Sequence, residues 1–107
     1  MFVKGSWGNV SFHKALSAAL NLVSSMEAGL NATGALAQFC RADAEAIKCW
    51  RSGSLAPDDV RYELVLMAFP SLRTAERPAC PPYEGEDTIS SVPLPPAFVR
   101  AAQAAGL

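Results

Sequence analysis

The chain has 107 residues, half of them hydrophobic, which suits one globular core and leaves little room for a second. Nine Lys and Arg against ten Asp and Glu give a net charge of -1, so the chain as a whole lacks the pull on polyanions of a strongly basic protein. No apolar run approaches the roughly 20 residues that cross a bilayer, and the opening MFVKGSWGNV lacks the apolar stretch of a secretory signal, so a cytoplasmic location and no membrane partner are expected.

From Ser11, the spacing of Phe12, Leu16, Leu20 and Val23 predicts a first helix, with Ser11 as its cap and Gly29 supplying the left-handed residue that ends it. A second helix follows, capped by Asn31 or Thr33, with Leu36, Ala37 and Phe39 or Cys40 inward and a turn at Arg41 and Ala42. Asp43 caps a third helix in which Ile47 and Trp50 share the inner side, ending near Gly53. A fourth starts with Pro57 in its first turn and Asp58 and Asp59 at the positive end of its dipole. Its expected stripe is Val60, Leu64, Met67 and Ala68, and Pro70 ends it. Ser71 is read as the cap of a short fifth helix running to about Arg77.

Residues 77–96 hold six of the eight prolines, which predicts an extended arm, and PAFVRAAQAAGL returns to helix with Phe98, Val99 and Ala102 on one face. The expected division is a helical domain over 1–77 and an arm with a short terminal helix over 78–107. Ile89, Val92, Leu94, Phe98 and Val99 are too apolar to stay in water, and should cover either the chain's own first helix or, preferably, a second subunit.

Little in the chain points to an enzyme. There is no Ser, His and Asp set, no Gly-rich phosphate loop and no metal spacing; the lone His13 reads as surface or capping, and Cys40, Cys49 and Cys80 as reduced thiols. No catalytic residues, metal or cofactor are expected. Charge is unevenly spread: residues 1–54 carry Lys4, Lys14, Arg41, Lys48 and Arg51 against Glu27, Asp43 and Glu45, while Glu84, Glu86 and Asp87 gather in the arm. A nucleic-acid face, if the chain has one, therefore belongs to the first half.

In residues 30–57 the order of small, apolar and turn residues is that of a helix-turn-helix. Leu36 and Ala37 stand in the first helix, Ile47 follows ten residues after Ala37, Trp50 three later, and WRSGSLAP supplies the aromatic, polar pair, glycine and proline. This stretch resembles the phage-repressor and Cro-like family, also called XRE, and the resemblance extends over roughly 12–77. It implies an all-α, compact five-helix lambda-repressor-like domain, here followed by the Pro-rich extension and its short helix. One position departs: the residue four after Ala37, often glycine in the family, is Arg41, so a longer or differently shaped turn is expected.

The resemblance further implies that Ala44, Glu45, Lys48 and Cys49 face base edges, with Glu45 able to accept from a cytosine amino group and Ala44 able to touch a thymine methyl. Thr33, Lys48, Arg51, Ser52 and Ser54 are the expected phosphate contacts, while Trp50 is core. The function this implies is a sequence-specific transcriptional regulator, a repressor acting as a homodimer on double-stranded DNA. Two other classes stand beside it: a protein-interaction module or antitoxin-like partner on the same scaffold with weak base reading, and an accessory protein binding its partner through the arm.

Overall fold

Six apolar or aromatic positions on one side of the first helix set the centre of the molecule. In α1 (Phe12–Met26), Phe12, Leu16, Leu20 and Val23 are buried together with Ala15 and Ala19, whose small side chains let other helices approach closely. The computed structural model describes residues 7–85, 89 and 92–107. Within them the chain is all-α, with α2 (Ala32–Cys40), α3 (Ala44–Ser52), α4 (Asp59–Ala68), a 3-10 helix (Pro70–Thr74) and α5 (Pro96–Ala104). The only β pairing among the described residues is a lone parallel bridge between Ser11 and Glu76, closed by the Glu76 amide on the Val10 carbonyl at 2.9 Å.

The predicted elements are present with informative shifts. Ser11 occupies the N-cap position of α1 but its side chain makes no capping bond, and the helix ends at Met26, before Gly29. Asn31, not Thr33, caps α2 by accepting from the Gly34 amide at 3.0 Å. Leu36, Ala37 and Cys40 are buried and Phe39 is half-buried. In α4 the first turn does not include Pro57. That residue is fully buried just before the helix, and Asp58 is the cap, accepting from the Arg61 amide at 2.8 Å.

The buried stripe of α4 is Tyr62, Val65, Leu66 and Ala68, rotated from the one expected: Ala68 is shared, Val60 and Leu64 are half-buried, and Met67 is 64% exposed. Tyr62 turns inward against Phe12, their rings 5.3 Å apart, and this aromatic pair fixes the rotation. The fifth helix is one 3-10 turn that stops at Thr74 instead of Arg77. Trp7 pins this turn, its ring nitrogen donating to Ser71 Oγ at 2.9 Å and its backbone amide to Thr74 Oγ1, after which the chain is drawn out alongside Val10. Ser71 is thus inside the turn and does not cap it.

The arm lies on the chain's own surface. The Pro81 carbonyl accepts from the Asp59 amide at 2.9 Å, so the arm satisfies one of the free donors that begin α4, and Asp59 Oδ1 accepts from the Tyr83 amide at 2.9 Å. Beyond it, α5 packs on α1, with Phe98 fully buried and stacked on Phe69 at 5.3 Å. Phe98, Ala101, Ala102 and Leu107 belong to the same buried cluster as Trp7 through Ala75. The tail's Phe98, Ala101 and Ala102 are covered within the same chain, where α5 packs on the first helix; Leu94 is half-buried against the core, while Val92 and Val99 remain exposed. The stretches before and after Arg77 therefore differ in backbone but share one core.

Candidate nucleic-acid interface

Cys40 ends α2 with its side chain buried, and the chain must then reverse to start α3. It does so at Arg41, which adopts the left-handed conformation (φ 55°, ψ 42°). The Ala42 amide reaches back to the Ala37 carbonyl at 2.9 Å and the Arg41 amide to that of Gln38 at 3.2 Å, the paired bonds of a Schellman ending. The expectation of a longer or differently shaped turn is thus corrected: arginine takes the glycine-like left-handed conformation, at a cost of about 1–2 kcal/mol. Arg61 helps to hold it there. Its guanidinium donates from Nε to the Cys40 carbonyl at 3.2 Å and from Nη2 to that of Arg41 at 3.1 Å, while Nη1 bonds Asp58 at 2.6 Å.

Asp43 then caps α3 by accepting from the Ala46 amide at 3.1 Å. Ile47 and Trp50 are buried, α3 packs on both α1 and α2, and Ala37 is buried in the same cluster. A small residue at 37 is what a close crossing of α2 and α3 requires. The helix ends at Gly53 (φ 83°), where a Cβ would sit 3.0 Å from the His13 ring; His13 is therefore half-buried against α3's end.

The eight candidate residues fall into separate groups. Ala44 is exposed at the start of α3. One turn on, Glu45 and Lys48 pair with each other at 3.2 Å, their side chains 80% and 65% exposed. Cys49 is half-buried, and its carbonyl accepts from Ser52 Oγ at 3.0 Å and Ser54 Oγ at 3.4 Å; the two hydroxyls are also 3.0 Å apart. Ser52 and Ser54 thus brace the end of the helix.

Arg51 and Thr33 meet at the seam of three helices. Arg51 Nη1 donates to Thr33 Oγ1 at 3.3 Å, Nη2 to Asn21 Oδ1 at 2.7 Å, and Nε and Nη2 to Ser17 Oγ at 3.3 and 3.2 Å. All these acceptors are neutral, and no carboxylate among the described residues pairs with Arg51. The guanidinium lies beside the amino end of α2, and most of its donors serve to tie α3 to α1 and α2.

Sequence reading missed Arg61, Ser17 and Asn21. A signal was present: Arg61 stands three residues after a capping aspartate, and Ser17 and Asn21 are four apart on the polar side of α1. Below the surface, burial pushes the Cys40 thiol up to about 12 despite the opposing pull of Arg61, with Asp58 adding to the rise. The three cysteines are free thiols, and no group of His, Cys, Asp and Glu among the described residues could hold a metal. No helix among them is long and apolar enough to cross a membrane. Compared with protein-family models, characterised proteins and solved structures, the chain matches none.

Proposed function

We propose that the chain is a DNA-binding transcriptional regulator of lambda-repressor-like design, with α2 and α3 as its helix-turn-helix and α3 entering the major groove. The observation that carries this reading is the division of α3: Ile47 and Trp50 are sunk against the other helices, while Ala44, Glu45 and Lys48 stand outward from the turn begun by Asp43. The Glu45–Lys48 pair is no obstacle, since an exposed ion pair is worth only about 0–1 kcal/mol and a phosphate can take the lysine. Two copies would place two such helices about 34 Å apart on successive grooves.

The reading assigns phosphate contact to Lys48 and the Ser52–Ser54 loop, and base contact to Glu45. Selection on random duplexes at fixed low salt, followed by a salt titration of the selected site, tests it. Glu45→Ala is expected to change the preferred base at one position, with about 1–3 kcal/mol of discrimination lost, and Lys48→Ala to weaken all duplexes alike and flatten the salt dependence by about one counterion. No salt-dependent binding by the parent protein would defeat the proposal. The self-neutralised Glu45–Lys48 face then favours the second reading, a protein-interaction module with the same helices.

A further inference from the structure

Two residues other than glycine hold a positive φ among the described residues: Asn9, whose short amide side chain tolerates it, and Arg41. At φ 55° and ψ 42° an arginine sits in a conformation that glycine would take without strain. A second arginine keeps it there. Arg61 gives two of its donors to the carbonyls of Cys40 and Arg41 and is itself fixed by Asp58. Strain that is over-determined by its surroundings in this way marks a side chain kept for use.

The fold does not use that side chain. Arg41 is exposed, and only its backbone amide and carbonyl make hydrogen bonds. The other cations of the turn and of α3 are engaged: Arg51 by Ser17, Asn21 and Thr33, Arg61 by Asp58, and Lys48 by Glu45. No ion pair to a described carboxylate holds Arg41, and Asp43, close to it in sequence, turns its Oδ1 to the Ala46 amide.

Arg41 lines two hollows that flank the start of α3, one with Ala37 and Gln38, the other with Ala46 and Trp50. Where the first helix of such a pair crosses the sugar-phosphate backbone and the second enters the groove, the turn between them passes over the groove's border. A guanidinium at that border meets phosphodiester oxygens, which its planar fork can take two at a time. Given the DNA-binding reading, on which this rests, we infer that the Arg41 guanidinium binds a phosphodiester at the border of the major groove and so fixes the register of α3.

Glycine at position 41 separates the side chain from the turn, because it removes the guanidinium and accepts the left-handed backbone freely. The selected duplex and an unrelated one are titrated with the full chain at several salt concentrations, by fluorescence anisotropy, beside urea unfolding. Arg41→Gly should unfold at the same or a higher urea concentration than the parent, yet bind both duplexes about tenfold more weakly, with a salt slope smaller by about one counterion. Arg41→Lys should keep the parent's salt slope and bind about threefold more weakly, since it retains the charge without the fork. Parental affinity and salt slope in Arg41→Gly would overturn the inference while leaving DNA binding in place, as would a loss confined to one duplex, because a phosphate contact is blind to sequence. A glycine variant less stable than the parent would remove the strain argument and overturn it too. No salt-dependent binding by the parent would defeat the DNA-binding reading, and this contact with it.

Discussion

Arg51 and Lys48 are both cations near the end of α3, yet they have opposite relations to the fold. Lys48 reaches into solvent and meets only Glu45, whereas Arg51 is bonded to Ser17, Asn21 and Thr33 on two other helices. Arg51→Ala leaves those acceptors unanswered and should cost about 1–3 kcal/mol in urea unfolding, against less than about 0.5 kcal/mol for Lys48→Ala. Loss of DNA binding in the Arg51 variant alone would therefore report on helix placement as much as on phosphate contact, and Lys48 is the cleaner probe. Cys40 gives a pH prediction at the same scale. Its folded value of about 12 lies above the ordinary 9.0, so both states keep the proton below pH 9 and no stability is lost there. Between pH 9 and 12 the unfolded chain ionises and the folded one does not, so stability falls by up to about 1.4 kcal/mol per pH unit from this thiol. Cys40→Ala should show a shallower alkaline loss in pH-dependent unfolding. Tyr62 and Cys80, also raised by burial, remain in both proteins and cancel in the comparison.

Among the helices, α4 shows where pattern stops determining orientation. In VRYELVLMAF nearly every position after Glu63 is apolar, so two stripes are available, and the choice between them is made by aromatic partners far away in sequence, Phe12 for Tyr62 and Phe98 for Phe69. Leu66→Ala should cost about 2–5 kcal/mol and Met67→Ala less than about 0.5 in chemical denaturation; the reverse order would mean that the helix is rotated as the sequence alone suggests. The helices α1, α2 and α3 were legible because polar residues separate their apolar ones and because Asn31 and Asp43 cap locally. The 3-10 turn was not, since what holds it is Trp7, more than sixty residues earlier. The same limit applied to the candidate site. Spacing along α3 separated Ile47 and Trp50 from the outward residues, but nothing in the order of residues says that Arg51 finds its acceptors on α1.

At the scale of the whole chain, the question is what the last thirty residues do. Composition sets them apart, and an arm used to join two subunits would leave a folded remainder when removed. The packing argues otherwise. Phe98 is fully buried and stacked on Phe69, α5 covers α1, and the Pro81 carbonyl completes the amino end of α4. Phe98→Ala should by itself cost about 3–5 kcal/mol, much of the 5–15 kcal/mol by which small proteins are stable. A chain ending at Pro78 loses that contact, the remaining apolar face of α5 and the cap on Asp59 together, and would expose Phe69 and part of α1 to water. It should melt well below the parent or fail to fold cooperatively, and its exposed α1 face should make it associate more in sedimentation. A truncated product that melts like the parent and is more monomeric would show that the arm leaves this core to serve a subunit contact in solution.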